Sequence, residues 1–398
     1  MSREQHVERL AQLCVDYGVN LRPGQVLHVN AEYGQEEIAR ALATRAYQRG
    51  GKFVDVWYFD PHVKRARIEH ADEETLTYVP PWYGQRAIAR SEERGALISI
   101  AGAVSPGLLD DLDPRRVGKD LLPRIKENFE IINQRTSNWL VMPGPTEGWA
   151  KQVYPDANDP LGRLWQEIAH VSRLDTDDPE TAWRERFAQT GAVGERLTAL
   201  GLDAVHFEGP GTDLTIGLLP TSLWRNANET TVDGIAFVPN LPSEELTTTP
   251  DPERADGVVR SSRPLVLTDG TMIDGIEIRF ENGVAVSIDA EKGGEALRSR
   301  TAVDDGARRL GEVALVDREG RIGPLGTIFY NTLLDENAAS HLALGGAYET
   351  LVGKEDVPRI NRSELHLDFM IGSDEVAVTG ITTDGTRVPI LRDGSWQV

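Results

Sequence analysis

Residues 363–372, SELHLDFMIG, place an imidazole and a carboxylate two positions apart, at His366 and Asp368. The residues around them are apolar and predict a strand, along which side chains alternate between two faces. His366 and Asp368 therefore share one face, and the apolar side chains between and beside them share the other. This pair offers two ligands to a metal ion, although many half-buried strands carry polar pairs without any chemical role.

Further acids lie among apolar or turn residues in the second half of the chain. Glu244 and Glu245 are adjacent in NLPSEELTTTP, so an extended backbone turns only one of them toward a given cavity. One is expected to bind metal and the other to be solvated or to act as a base. Glu312 lies in the apolar strand pattern LGEVALV, where a buried carboxylate needs a metal ion or an arginine as its partner.

The segment LLDENAASHLALGGAYE carries His341 and Tyr348 seven residues apart. If its backbone is helical, the two side chains lie on nearly the same face, two turns from each other. Gly345 and Gly346 interrupt that helical pattern. Asp335-Glu336-Asn337 predicts a helix cap, in which side chains accept hydrogen bonds from the exposed N–H groups at the helix start.

As a set, these candidates are oxygen and imidazole ligands without a thiolate, which suits zinc, cobalt or manganese. The set consists of Glu245 or Glu244, Glu312, His341, Tyr348, His366 and Asp368. Six ligands exceed the need of one catalytic zinc and suit two ions about 3.5–4 Å apart that share a carboxylate. The residues alone therefore predict a metal site in the C-terminal half, with two ions as the better fit.

The elements that must position this set change character along the chain. Residues 1–195 alternate helical patterns with the strand patterns GQVLHVNAE, KFVDVWYFD, ALISIAGAV and SNWLVMPG, which predicts an N-terminal α/β domain with a parallel sheet. A helical stretch is expected around residues 114–134, and further helices over residues 158–200. Residues 196–398 are rich in strands and turns, and predict a β-rich α+β domain that binds metal and carries catalysis.

Charge and cysteine content exclude several classes of protein. Lys and Arg total 42 against 63 Asp and Glu, a net charge of −21, which disfavours nucleic acid and anionic membranes as partners. Cys14 is the only cysteine, so neither an intrachain disulfide nor a thiolate zinc cluster can form. The N-terminal residues lack the apolar core of a signal peptide, and the longest apolar run, residues 96–104, is too short to span a bilayer. A cytoplasmic location is expected.

The segments GTDLTIGL, NLPSEELTTTP, LGEVALV, LLDENAASHLALGGAY and LHLDFMIGS, in that order, resemble the aminopeptidase T family of dinuclear metallo-aminopeptidases. In that family two glutamates, a His and a Tyr seven residues apart, and a His-x-Asp pair build the two-metal site. The matching residues here are Glu245, Glu312, His341, Tyr348, His366 and Asp368. Either glutamate of the pair 244/245 fits the first position.

The resemblance also implies an activity and an assembly. A homodimer is expected, with an enclosed cavity that admits short peptides and with two divalent ions of zinc, cobalt, manganese or magnesium per chain. A water shared by the ions would attack the first peptide carbonyl and release the N-terminal residue. The expected catalytic residues are Glu312 as the bridging carboxylate, Glu244 as the base if Glu245 binds metal, and Tyr348 as a ligand or oxyanion donor.

Two other functions fit parts of the pattern. His341, His366 and Asp368 would form the two-His, one-carboxylate triad of a mononuclear Fe(II) ring-cleaving dioxygenase, which would leave Glu245, Glu312 and Tyr348 without a role. A non-catalytic protein with a structural metal is the other, although structural sites are usually closed and lack spare acids.

Overall fold

The structure is a computed structural model that describes residues 1–120, 122–123, 125–267 and 271–398, with only the backbone described at residues 126 and 129. The chain divides into two compact units. The first comprises Met1–Glu185 and Ala227–Ser243, and the second comprises Arg186–Asn226 and Glu244–Val398. The division between Glu185 and Arg186 and the boundary predicted after residue 195 lie in the same helix. The sequence patterns did not predict that residues 227–243 belong to the first unit.

The first unit is an α/β structure, as the alternating patterns predict. Its strands are β1 Val26–Glu32, β2 Phe53–Phe59, β3 Ala96–Ala101, β4 Trp139–Pro143, β7 Glu229–Thr230 and β8 Ala236–Phe237. Its helices are α1 Arg3–Leu13, α2 Glu36–Gln48, α3 Pro61–His70, α4 Pro81–Glu92, α5 Pro114–Lys119, α6 Lys126–Gln134, α7 Glu147–Val153 and α8 Pro160–Val171. Helix α9, Pro179–Ala199, contains the division between the units.

Four strands of the first unit form a parallel sheet in the order β2-β1-β3-β4. One face of the central strand β1 is fully buried through Leu27 and Val29, whereas His28 and Asn30 on the other face are partly exposed. Cys14 directly follows α1 and is buried, and burial raises the pKa of its thiol. A buried thiol of this kind is inert and serves packing.

The second unit contains the remaining strands. They are β5 Leu202–Gly209, β6 Thr212–Leu218, β9 Glu245–Thr248, β10 Pro250–Arg260, β11 Leu265–Val266, β12 Met272–Ile273, β13 Glu277–Glu281, β14 Val284–Asp289, β15 Leu310–Val316, β16 His341–Gly345, β17 His366–Met370, β18 Ala377–Thr382, β19 Arg387–Arg392 and β20 Ser395–Trp396. Two short helices accompany them, α10 Gly294–Arg300 and α11 Thr332–Glu336.

Two antiparallel sheets form most of this unit. The larger has the order β14-β13-β10-β6-β5-β18-β19-β20, and the smaller has the order β17-β16-β15-β9. A single hydrophobic cluster contains side chains of both sheets, including Phe207 and Ile216 from the larger and Leu315, Leu342 and Phe369 from the smaller. The smaller sheet therefore turns one face to the shared core, and its other face is left for polar side chains.

The predicted fold class is confirmed: a parallel-sheet α/β region is followed by a β-rich α+β region. The helical stretch expected around residues 114–134 is two separate helices, α5 and α6, with residues 121 and 124 outside the described part. Helices α3, α4 and α7 were not predicted. No helix in the described ranges combines the length and the apolar character needed to cross a membrane.

Candidate metal centre

One face of the four-stranded sheet carries most of the residues that the sequence predicts to bind metal. Alternation along each strand places Glu245, Glu312, His341, His366 and Asp368 on this face. The other face presents Leu246, Val313, Leu342 and Phe369, among others, to the core. The burial of these apolar side chains fixes the register, because a slip of one residue would turn every ligand candidate inward.

Strand register explains why the candidates converge. Glu312 on β15 pairs with Ala343 on β16, which in turn pairs with Asp368 on β17. Side chains of directly paired residues lie on the same face, so only the methyl group of Ala343 separates the two carboxylates. Ala314, which pairs with His341, is equally small. Small side chains on the two central strands thus leave a hollow between the acids and imidazoles.

Two groups of donor atoms result, and they share one residue. Glu245, Glu312 and His341 form one group, and Glu312, His366 and Asp368 form the other; within each group the donor atoms lie within 4.8 Å of one another. Glu245, Glu312 and His341 are 7%, 5% and 1% exposed, and His366 and Asp368 are partly buried. Thr247 donates from Oγ1 to Oε1 of Glu312 at 2.5 Å and so fixes that carboxylate.

Both imidazoles are oriented as metal ligands usually are. Nδ1 of His366 lies 2.8 Å from the carbonyl oxygen of Gly346, and Nδ1 of His341 lies 3.2 Å from that of Ala339. A carbonyl only accepts, so each Nδ1 carries a proton and donates it. The Nε2 atoms point into the cluster: His341 Nε2 lies 3.1 Å from Glu245 Oε2, and His366 Nε2 lies 3.3 Å from Asp368 Oδ1. A backbone acceptor on one ring nitrogen is the support that metal-bound histidines typically have.

The crowding of acids shows in their protonation. Burial raises the pKa of Glu245, and the charges of Glu312 and Asp368 add to that rise. Burial alone would lower the pKa of His341, but its hydrogen bond to Glu245 and the surrounding carboxylates raise it to about 10. Burial alone would also lower the pKa of His366. The electrostatic effect of Tyr348 and Asp368, together with hydrogen bonds to Asp368 and Glu312, outweighs burial and raises this pKa well above its usual value. Without a cation, the cluster therefore holds positive charge in the form of protons.

Glu336 is an additional acid beside the cluster, and it was expected only to cap a helix. It is 8% exposed, at the end of α11, and burial together with the charges of Asp368 and Glu245 raises its pKa well above the usual value. Its Oε1 accepts a hydrogen bond from the side-chain amide of Asn337, at 3.5 Å. The clue in the sequence is an acid five residues before His341, between Asp335 and Asn337.

Glu244 points elsewhere. Its Oε2 accepts from Nε of Arg186 at 2.6 Å, and its backbone N–H donates to Oδ1 of Asn337 at 2.7 Å. Arg186 also binds Asp317, with Nη2 2.8 Å from Oδ1, and all three charged side chains are at least 95% buried. The adjacent glutamates thus face different surroundings, Glu245 toward the imidazoles and Glu244 toward an arginine.

Tyr348 lies beside the cluster, but not for the predicted reason. The expectation that His341 and Tyr348 share a helix face was wrong, because residues 341–345 form strand β16 and Tyr348 follows it in extended backbone. The tyrosine ring lies 5.1 Å from the ring of His366, and burial raises the pKa of its hydroxyl. Pairing with β15 and β17 overrides the helical preference of the Ala and Leu residues in this segment.

The predicted cap at residues 335–337 was wrong in position. Asp335 lies within α11, and its carboxylate reaches back to accept from the backbone N–H groups of Phe329 and Asn331, each at 3.0 Å. The residue at the cap position of α11 is Asn331, whose side chain makes no capping hydrogen bond. Asp335 therefore secures the entry to the helix that carries Glu336.

The donor set fits divalent cations. Several carboxylates on a mostly buried surface repel one another unless protons or metal ions lie between them. Oxygen and imidazole donors suit zinc, cobalt and manganese, and there are more donors than a closed structural site needs. The imidazoles of His341 and His366 fall in different donor groups, which disfavours a single-iron triad made of these two and Asp368. Fold and donor set together define a metalloenzyme.

Comparison with known proteins identifies its family. The family model for thermophilic metalloproteases of family M29 matches residues 3–396, and the chain belongs to this family. It is 40% identical to aminopeptidase T of Thermus thermophilus over 99% of both chains, and 37% identical to aminopeptidase 2 of Geobacillus stearothermophilus over 99% of this chain and 98% of that one. A solved structure of wild-type AmpT from Thermus thermophilus matches with a TM-score of 0.89 at 38% identity, covering 100% of both chains.

The resemblance read from the sequence is thereby confirmed. The chain is a metallo-aminopeptidase, a hydrolase of a family whose members depend on divalent metal ions.

Proposed function

We propose that this enzyme removes the N-terminal residue from short peptides with the help of two divalent ions held by the cluster. The observation that carries the two-ion proposal is that Glu312 belongs to both donor groups. A carboxylate has two oxygens and can bridge two ions, whereas one ion would leave one of the groups without a purpose.

Each ion has a proposed set of ligands. Glu245, Glu312 and His341 would hold one ion, and Glu312, His366 and Asp368 the other, with Tyr348 beside His366. Zinc, cobalt, manganese and magnesium all remain candidates, since the ligands accept several ions. When bound, the ions supply an activated water and polarise the scissile carbonyl.

The protein's own groups would handle protons and substrate charge. We assign proton transfer to Glu336 in place of Glu244, because Glu336 is buried beside the cluster whereas Glu244 is bound to Arg186. A buried carboxylate beside the ions, not held by an arginine as Glu244 is, can accept a proton and pass it to the leaving amine. Carboxylates in excess of the metal charge would attract the α-ammonium of the peptide, which favours cleavage after the first residue.

An assay on a chelated and re-metallated sample tests this function. After EDTA treatment we expect hydrolysis of leucine p-nitroanilide to stop and to return with zinc, cobalt or manganese, and N-acetyl-leucine p-nitroanilide to remain intact throughout. Metal analysis should then give two ions per chain. Full activity of the chelated protein, or one iron per chain with ring-cleaving activity, would refute the proposal.

The homodimer and the cytoplasmic location stay predictions from the sequence, as does the assignment of catalysis to a domain spanning residues 196–398. Light scattering of the purified protein tests the first of these, with twice the chain mass of 43.9 kDa as the expected result.

A further inference from the structure

A second cavity lies in the first unit, on the partly polar face of its parallel sheet. Its lining includes His28 of β1, Trp57 of β2, and Tyr83, Arg86 and Arg90 of α4. None of these side chains belongs to the metal-binding cluster. Among the described residues, the lining contains two arginines and no acid, in a chain with a net charge of −21.

Arg90 is the unusual residue of this cavity. It is 7% exposed, its Nη2 donates to Oδ1 of Asn128 at 3.2 Å, and its Nε has no hydrogen-bond partner among the residues that the structure describes. Within the described ranges, no carboxylate forms an ion pair with it. Burial, with the neighbouring charge of Arg86, lowers the pKa of Arg90 to about 10. Burial of a guanidinium without a counter-ion is unfavourable, so an anion from outside the chain would be stabilised here.

His28 supplies an acceptor at the same place. Its Nδ1 lies 3.2 Å from Oδ2 of Asp55, which also accepts from Arg86. Burial, with the charge of Arg90, lowers the pKa of His28, so the ring is neutral and its one proton is shared with Asp55. Nε2 is then an acceptor, and it is buried without a hydrogen-bond partner in the described part of the chain. The hydroxyl of Tyr83, which can donate or accept, is also buried without a partner there.

Aromatic rings form the rest of the wall. Trp57 and Tyr83 meet edge to face with ring centroids 5.5 Å apart, and Trp82 lies 5.9 Å from Tyr83. The Trp82 side chain is also part of the lining and is 70% exposed. The guanidinium of Arg86 lies over Trp57 at 5.7 Å. Such surroundings suit a flat apolar group attached to an anion.

We propose that this cavity binds an aromatic carboxylate that carries a neighbouring amide N–H, as the C-terminal aromatic residue of a peptide does. The carboxylate would pair with Arg90, the amide N–H would donate to Nε2 of His28, and the ring would pack against the tryptophans. A free aromatic amino acid fits less well, because none of the described lining residues offers a carboxylate to its ammonium group. The proposal is independent of the peptidase reaction.

Calorimetric titration of the full-length, metal-loaded protein in a chloride buffer tests the proposal. N-acetyl-L-phenylalanine should bind with one site per chain, and removal of its charge in N-acetyl-L-phenylalaninamide should weaken binding at least tenfold. L-phenylalanine should bind more weakly than the N-acetyl form. Phenylacetate, which lacks the amide, should also bind more weakly than N-acetyl-L-phenylalanine. Equal affinity for these two compounds would overturn the assignment of a peptide end. Equal affinity for N-acetyl-L-phenylalanine and N-acetyl-L-phenylalaninamide would overturn the anion site.

Variants locate the binding. Arg90→Met should lower the affinity for N-acetyl-L-phenylalanine at least tenfold and Trp82→Ala several-fold, while leucine p-nitroanilide hydrolysis stays unchanged in both. The control Arg40→Met removes an exposed arginine of the same unit and should bind as wild type does. If Arg90→Met does not fold, Tyr83→Phe and Trp82→Ala test the position of the ligand instead. Wild-type affinity in both variants would show that the ligand binds outside this cavity.

Discussion

Glu312 illustrates how a single residue acquires its role from its neighbours. It is buried on an apolar strand, belongs to both donor groups, and is held at Oε1 by the hydroxyl of Thr247. A carboxylate placed between two donor groups is useful only if its orientation is fixed, because a rotation would withdraw an oxygen from one of them. Thr247 is therefore expected to support metal binding without touching the metal.

Replacement of Thr247 by valine should weaken metal binding about 10- to 100-fold, since the shape is kept and the hydrogen bond to Glu312 is lost. Competition with a chromophoric chelator measures the affinity. Thr248→Val is a matched control, because the neighbouring hydroxyl is buried without a partner, and its removal should leave the affinity unchanged and the fold equally or more stable. Equal metal affinity in wild type and Thr247→Val would contradict the supporting role.

Glu336→Gln tests the proton carrier. The amide keeps the size of the side chain but cannot accept a proton, so kcat should fall about 10²- to 10⁴-fold while metal content stays at the wild-type value. Glu319→Gln removes an exposed acid of the same unit and should retain full activity. Loss of an ion in Glu336→Gln, measured by metal analysis, would show instead that Glu336 is a ligand.

At the scale of elements, helix α9 is tied to the segment that leads into β9 by a buried ion network. Arg186 of this helix binds both Glu244 and Asp317, and water cannot solvate these two carboxylates because their side chains are buried. Removing one partner of such a network leaves buried charges uncompensated. Because Glu244 immediately precedes Glu245, the network also fixes where β9 begins and hence where Glu245 points.

Arg186→Met should lower the free energy of unfolding by about 3–5 kcal/mol, as measured by denaturant titration. Arg196→Met changes an exposed arginine of the same helix and should cost less than about 1 kcal/mol. A loss in Arg186→Met no greater than in the control would mean that the buried network contributes little to stability.

The last residue of β16 must be a glycine. Gly345 has φ +104, and a Cβ at this position would lie 2.1 Å from the carbonyl oxygen of Leu365, directly before His366. Gly345→Ala should therefore push β17 away and cost about 2–5 kcal/mol of stability, together with a measurable loss of metal affinity. Gly385→Ala also has positive φ, +84, but nothing lies within 4 Å, so it should cost only about 1–2 kcal/mol and leave metal binding intact. Equal effects in the two variants would show that the close approach is tolerated.

The elements also show what the sequence could and could not predict. The alternation in LHLDFMIG predicts the shared face of His366 and Asp368, because period two is a local property of strands. The conformation of residues 341–345 was not predictable in this way, since the Ala and Leu residues of AASHLALGG favour a helix and pairing with β15 and β17 makes the segment extended. The different surroundings of Glu244 and Glu245 depend on Arg186, which lies 58 residues from Glu244 in sequence. The position of Glu336 beside the cluster was not predicted, because contacts between elements leave no periodic pattern in the sequence.

For the whole molecule, metal binding and folding should be coupled through protons. The pKa values of Glu245 and Glu336 are raised in the folded chain, so the metal-free fold binds protons that the unfolded chain releases above about pH 4.5. The raised pKa of His341, about 10, changes stability in the same direction. Its contribution to the free energy of unfolding is complete below about pH 6.5 and is lost as the pH rises toward 10. The metal-free protein should therefore become less stable as the pH rises from 5.5 to 8.

Divalent ions replace these protons, so their affinity rises over the same pH range. The difference in Tm between the zinc-loaded and the EDTA-treated protein should accordingly grow by several degrees from pH 5.5 to pH 8, as measured by scanning calorimetry at fixed ionic strength. Glu319→Gln should keep this trend, because that acid lies outside the cluster, whereas Glu312→Gln should lose most of it. A Tm difference that stays constant or shrinks with rising pH would mean that the cluster does not exchange protons for metal, and that its charge is balanced by other groups in the fold.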